Sequence, residues 1–203
     1  MSEDFVYLAS ASPRRRQLLE QIGVAFELRP VEIDERRRPA ELPADYVVRV
    51  ARAKAGKCWT SVAGGGAERP VLAADTTVVL GGEVFGKPGN RAAALDMLAT
   101  LSGRTHTVIT GVAVRFGEEL KTALAVSEVT FRATTARERE AYCATDEPLD
   151  KAGSYAIQGL GAVFIEYLGG SYSAVMGLPL LETSALLRRF GIPAWLDGEP
   201  GRP

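Results

Sequence analysis

Stretches of nearly continuous apolar side chains alternate along this chain with stretches where they recur every three or four residues. These two rhythms mark strands and helices. The run FVYLAS, from Phe5 to Ser10, predicts a short strand. It feeds a segment where Ser12 is placed to cap a helix, Pro13 to occupy its first turn and Gly23 to end it, with Leu18, Leu19 and Ile22 as its buried stripe. A polar, proline-punctuated connector over residues 26–43 leads to a second helix over residues 43–58, with Val47, Val50 and Ala51 on one face. SVAGGGAERP (61–70) has the composition of a flexible surface loop. VLAADTTVVL and EVFGKP predict two strands joined at Gly81-Gly82, a pair suited to a tight hairpin turn.

The second half keeps the same rhythm. Asn90 caps a predicted helix that runs to Gly103 through Leu95, Leu98 and Leu101. Two long strands, HTVITGVAVRF and LKTALAVSEVTFRA, flank the GEE turn. Thr135 and Glu138 have the spacing of a capping box for the helix AREREAYCA. AVFIEYLGGSYSAVMG predicts a further hairpin turning at Gly169-Gly170, and LPLLETSALLRRFG a terminal helix between Pro179 and Gly191. The expected architecture is one α/β domain on a mixed, twisted sheet with flanking helices over residues 1–192, followed by a flexible tail over 193–203. No internal repeat or coiled coil breaks it.

Composition narrows the function classes. The chain has 203 residues, enough for one substantial domain, and a net charge of −1, so no overall field draws it to nucleic acid or to an anionic membrane. Any affinity for anions has to be local. Two cysteines, Cys58 and Cys143, lack metal-type spacing and suggest a reducing compartment. With no signal-like N-terminal segment and no long uncharged apolar run, the expected location is cytoplasmic. One histidine and no cysteine cluster argue against zinc or a histidine-dependent triad; the GxxxxGK from Gly81 to Lys87 is followed by Pro88 and not by the Ser or Thr of a P-loop, and no GxGxxG is present.

Four places break the local rules. Arg14, Arg15 and Arg16 fall on the first turn of a helix, where the backbone dipole disfavours cations. Free N–H groups after Ser12, with Arg14 and Arg15, would make a strand–loop–helix anion site suited to phosphate; the alternative is a solvated basic face. Asp75 interrupts an apolar strand, as a general base or metal ligand aimed at a cleft would, unless the strand ends at Ala74 and Asp75 opens a turn with Thr76. Lys54 falls on the apolar stripe Val47, Val50, Ala51, Lys54, and either snorkels outward or points its ammonium inward. Lys87, at a strand end before a proline turn, is well placed for a phosphate. Finally DKAGSYAIQGLG, residues 150–161, crowds Lys151, Gln158 and three glycines without a period, as a ligand-approaching loop or a glycine-rich connector would.

Taken together, LASASPRRRQLL, IDE, VVRVARAKA, AADTTVVLGGEVFGKP and the stretch from DKAGSYAIQGLG to GLPL resemble the Maf family of nucleoside triphosphate pyrophosphatases, also called septum formation inhibitors. The resemblance runs in family order from about Tyr7 to Phe190. It implies a two-lobed α/β fold around a deep cleft, shared with inosine triphosphate pyrophosphatases. It also implies a homodimer, and hydrolysis of a nucleoside triphosphate to monophosphate and pyrophosphate with a divalent cation such as Mg²⁺ or Mn²⁺. Carried over by position, Asp75 matches the proton acceptor, and Arg14, Thr76 and Gln158 match positions tied to substrate choice. Arg15, Glu35, Lys54 and Lys87 match other polar cleft residues. The branch acting on dTTP and UTP has Thr after the Asp and KAG…IQG in the late loop, as here with Thr76, Lys151 and Gln158; a branch acting on 7-methyl-GTP has Gln there.

The expected site therefore uses Asp75, Glu35 and Lys54 in catalysis, with Asp75 and Glu35 also meeting the metal. Ser12, Arg14, Arg15, Thr76, Lys87, Lys151 and Gln158 bind substrate. Pyrimidine nucleotides, modified analogues included, are the expected substrates. Purine or 7-methyl-GTP-type nucleotides, or a non-enzymatic role in cell division, are the alternatives. The loop at residues 61–70 and the tail depart from the family pattern.

Overall fold

The computed structural model describes residues 5–65 and 68–195. The chain forms β1 (Val6–Leu8), α1 (Pro13–Gln21), β2 (Phe26–Leu28), α2 (Pro43–Val62), β3 (Val71–Leu80), β4 (Glu83–Phe85), α3 (Arg91–Leu101), β5 (Thr105–Phe116) and β6 (Glu119–Phe131). Then come α4 (Ala136–Cys143), 3-10 turns at Glu147–Asp150, Ala152–Ser154 and Leu160–Phe164, β7 (Ile165–Gly169), α5 (Tyr172–Met176) and α6 (Leu180–Arg189). Among the described residues the strands make one seven-stranded sheet in the order β2-β1-β3-β5-β6-β7, with β4 beside β3. It is mixed: β1 runs parallel to β2 and β3, whereas β3–β4 and β6–β7 are antiparallel.

The chain divides into two compact units. The first takes the chain up to Asp75, Thr110–Ala125 and the chain from Gly177 onward. The second takes Thr76–Ile109 and Val126–Met176. In the first, α2 lays Ala51, Ala55, Cys58 and Trp59 against Tyr7, Ala9, Val71, Ala73 and Ala113 of the strands. Most of these residues are small, and the helix backbone comes correspondingly close. A Cβ at Gly111 would lie 2.9 Å from the Val47 carbonyl group and the Val48 nitrogen, so β5 needs glycine at that point. In the second unit, Leu98 and Leu101 of α3 pack with Val78, Phe85, Val108, Val129, Phe131, Tyr142 and Phe164.

Local signals were faithful guides to element ends. Ser12 and Pro13 start α1, and the Asn90 carboxamide oxygen accepts the Ala93 N–H at 2.9 Å at the start of α3. Thr135 and Glu138 form the full capping box of α4. Gly81 and Gly82 turn the β3–β4 hairpin with φ of 59° and 86°. Two expectations need correction. The helix predicted to stop at Cys58 continues to Val62, because Trp59 is also buried on its inner face. The predicted hairpin at Gly169-Gly170 does not form: β7 pairs back onto β6, and Tyr172–Met176 is helical, with Ser171 Oγ accepting the Ala174 N–H at 3.2 Å. Residues 66–67 of the expected surface loop and 196–203 of the expected tail lie outside the described residues; within that tail, the Trp195 N–H bonds the Ile22 carbonyl at 3.0 Å.

Candidate active site

The strand carrying Asp75 does not end at Ala74. It runs on to Leu80, and Asp75 sits within it with 7% of its surface exposed. A carboxylate there needs a partner, and Lys54 supplies it. The apolar face of α2 carries Val47, Val50, Ala51, Lys54, Ala55, Cys58 and Trp59, all buried, so the lysine points inward and does not snorkel. Its Nζ lies 3.0 Å from Asp75 Oδ1 and 3.0 Å from Glu35 Oε2. One ammonium thus bridges two carboxylates, the first buried and the second half exposed. Desolvation pushes the Asp75 carboxyl above its ordinary value of 3.8, against the opposing pull of Lys54 and Arg15.

Arg15 answers the puzzle of cations at a helix start. Its Nε donates to the Gly177 carbonyl at 2.8 Å and its Nη1 to Ser10 Oγ at 3.0 Å. Burial pulls its guanidinium below the ordinary value, while the nearby charge of Asp75 works the other way. A guanidinium carries five N–H donors, and these contacts use two. Ser12 starts the helix but makes no side-chain cap; its N–H bonds Ser10 Oγ at 3.2 Å. Arg14 is partly buried on the same turn.

Glu35 is set by its connector. The Glu41 carboxylate receives Arg49 Nε at 2.5 Å and Nη2 at 2.9 Å, and Arg49 Nη2 also donates to the Arg36 carbonyl at 3.0 Å. This fork ties the segment around Glu35 to α2, the helix that carries Lys54. The Arg49 guanidinium holds the Glu41 carboxyl down to about 2. Tyr46 adds a phenol kept neutral: burial, then the charges of Asp75 and Glu35, push it up to about 12.

Sequence reasoning missed Ser10 and Tyr46. Each left a signal, since Ser10 lies in the same LASASP stretch as Ser12, and Tyr46, Val50 and Lys54 are spaced four residues apart along one helix.

Arg15, Glu35, Lys54 and Asp75 come together in the first unit. The other expected residues, Thr76, Lys87, Lys151 and Gln158, belong to the second. There Lys87 is exposed next to Gly86, whose carbonyl accepts the Gly153 N–H at 3.1 Å, so the Lys87 turn and the late loop are joined. Gly153 has φ of 70°, and a Cβ there would meet Val78 at 2.9 Å. Gln158 is exposed, whereas Lys151 Nζ is spent on the Glu147 carbonyl and the Asp150 carboxylate.

Whether these residues suit a divalent cation can be judged from their donors. Among the described residues no group of three or more His, Cys, Asp or Glu side chains forms a protein cage. Asp75 and Glu35 offer hard carboxylate oxygens around one shared ammonium. Mg²⁺ commonly takes one or two carboxylates and completes its shell with water and substrate phosphates. The donor set fits a cation that arrives with a polyphosphate, and does not fit a preformed structural site.

A mixed α/β sheet with a buried Asp75–Lys54 pair, extended by the half-exposed Glu35 carboxylate, beside a strand–loop–helix arginine defines the class. The chain belongs to the Maf-like protein family, whose pattern matches residues 5–190. It is 52% identical over 193 residues to the dTTP/UTP pyrophosphatase of Bordetella avium, covering 92% of this chain and 96% of the relative. Against the dTTP/UTP pyrophosphatase of Escherichia coli K12 the identity is 50% over 185 residues, covering 91% and 92%. For that of Anaeromyxobacter dehalogenans strain 2CP-1 it is 54% over 191 residues, covering 92% and 94%. Among solved structures, the Staphylococcus aureus Ham1 protein is similar with a TM-score of 0.45 and 13% identity, over 80% of each chain. No helix among the described residues is long and apolar enough to cross a membrane.

Proposed function

We propose that this chain hydrolyses the pyrimidine nucleoside triphosphates dTTP and UTP to the monophosphate and pyrophosphate. The observation that carries the proposal is the Lys54 ammonium held 3.0 Å from both Asp75 and Glu35 beside a partly buried Arg15. Relatives named dTTP/UTP pyrophosphatase at 50% identity or more support the substrate assignment.

In this hydrolysis the water oxygen bonds to the α-phosphorus, and the bond from that phosphorus to the α–β bridging oxygen breaks. Pyrophosphate leaves, and the proton of the water goes to Asp75. A buried carboxylate with a raised proton affinity suits that work, since a general base is most effective when its pKa approaches the working pH. Lys54 keeps Asp75 ionised and aimed, and Arg15, Arg14, Lys87 and the Ser12 turn receive phosphate oxygens. A divalent cation held by Asp75 and Glu35 would neutralise phosphate charge. Gln158 offers a donor and an acceptor, which the N3–H/O4 edge of uracil and thymine needs, with Thr76 and Lys151 shaping the same choice. The 5-methyl group that thymine carries and uracil lacks is worth only about 1–3 kcal/mol, so both bases fall within one substrate class. Modified pyrimidine nucleotides that keep the N3–H/O4 edge fall within the same substrate class.

The family resemblance supports a cytoplasmic homodimer, and light scattering on the pure protein checks the mass. The decisive assay is pyrophosphate release from a panel of pyrimidine and purine triphosphates with Mg²⁺, Mn²⁺ or no metal. Metal-dependent turnover that favours dTTP and UTP is expected; turnover of purines alone, or none, overturns the proposal.

A further inference from the structure

The loop that presents Gln158 is held by a carboxylate outside it. Glu147 opens the turn Glu147–Asp150. Its Oε1 accepts the Tyr142 hydroxyl at 2.7 Å and the Gly161 N–H at 3.1 Å, and its Oε2 accepts the Leu160 N–H at 3.1 Å. The Tyr142 oxygen in turn accepts the Ala156 N–H at 3.1 Å. The backbone is thus pinned at Ala156 before Gln158 and at Leu160 and Gly161 after it, while Gln158 itself stays exposed.

The glycines of IQGLG follow from the same packing. A Cβ on Gly159 would run into the Glu147 carboxylate, and one on Gly161 would stand 2.8 Å from the Tyr142 oxygen and 2.9 Å from the Ala156 carbonyl. Burial alone would raise the Glu147 carboxyl; the Tyr142 hydroxyl and the two amides outweigh it and hold the group below its ordinary value. The carboxylate is therefore an acceptor on both oxygens, which no amide side chain can imitate.

We infer that Glu147 is a positioning residue for base selectivity, clamping residues 156–161 so that the Gln158 amide meets the pyrimidine edge in one orientation. This rests on the assignment of Gln158 to the base. Cytosine presents an amino group and an unprotonated N3 where uracil and thymine present O4 and N3–H. A carboxamide presented from a fixed backbone can tell these edges apart, whereas one on a loose loop can meet either.

The test compares kcat/KM for UTP, dTTP, CTP and dCTP in the unaltered protein and in Glu147→Gln, Tyr142→Phe, the double variant and Gln158→Ala. Amide hydrogen exchange at Leu160 and Gly161 is read alongside. Glu147→Gln puts an N–H₂ against donors on one side, so both amides should exchange faster and the preference for uracil and thymine over cytosine should fall at least tenfold. Tyr142→Phe should give the same shift, and the double variant little more than either single change. Should Glu147→Gln not fold, Tyr142→Phe and the exchange data carry the same decision. An unchanged preference, or an equal loss for every nucleotide, overturns the inference. If Gln158→Ala keeps its preference while Glu147→Gln loses it, the clamp stands and the Gln158 assignment falls. An unaltered protein that does not discriminate against cytosine overturns both.

Discussion

An ammonium buried on an apolar helix face and a carboxylate buried within a strand each cost several kcal/mol when left alone. Lys54 and Asp75 are tolerable only because they meet, and Glu35 completes the charge balance from the half-exposed side. This mutual dependence makes Asp75 informative to change. Asp75→Asn keeps the shape and removes the base, so turnover should fall by about 10²–10⁴-fold while nucleotide binding persists; single-turnover kinetics beside equilibrium titration measure both. The pH dependence follows from the direction of the Asp75 shift. Its carboxyl lies above 3.8, so kcat/KM should fall with decreasing pH along a limb above the ordinary carboxylate range. Lys54→Met, which removes the strongest charge holding it down, should move that limb to still higher pH. For stability the folded protein keeps this proton longer than the unfolded chain does. The contribution of Asp75 is therefore fully present below 3.8 and lost as pH rises through the raised value.

At the scale of elements, what matters is how closely α2 approaches the sheet. Ala51 and Ala55 on the helix face Ala73 and Ala113 on the strands, and Gly111 lies beneath the Val47–Val48 peptide. A bulkier residue at 111 would lift the helix and carry the Lys54 ammonium with it. Gly111→Ala should cost about 1–3 kcal/mol by overpacking against backbone that has no rotamer to change. Because Lys54 moves with the helix, kcat should fall as well, although the substitution touches no charged group. Thermal unfolding and steady-state rates on the same preparation check this; a variant with normal kcat would show that α2 does not set the lysine.

For the molecule as a whole, the proposed function assigns the divalent cation to the substrate complex and not to the fold. Asp75 and Glu35 are already satisfied by Lys54, and no larger ligating cluster exists among the described residues. Chelation should therefore abolish pyrophosphate release but leave the melting temperature of the nucleotide-free protein unchanged. Metal together with a slowly hydrolysed dTTP analogue should raise it, by about 2.7 kcal/mol of added stability at a hundredfold excess over Kd. A chelator-sensitive melting temperature without nucleotide would instead indicate a resident ion.

Much of this was written in local sequence. Caps at Ser12, Asn90 and Thr135, the Gly81-Gly82 turn and the apolar stripe of α2 act over one or two turns of chain, and such short-range forces read directly as residue patterns. The stripe even announced that Lys54 was unusual. Tertiary structure alone decided which way that lysine points, because the answer lay in Asp75 and Glu35, 21 and 19 positions away along the chain. It decided that β7 returns to β6 instead of pairing with a following strand, since pairing depends on which edge is open. It also joined Glu147 to Leu160 and Gly161, which no periodicity links. Periodicity records what a residue needs from its own element; the partner that meets a buried charge is chosen only when the elements pack.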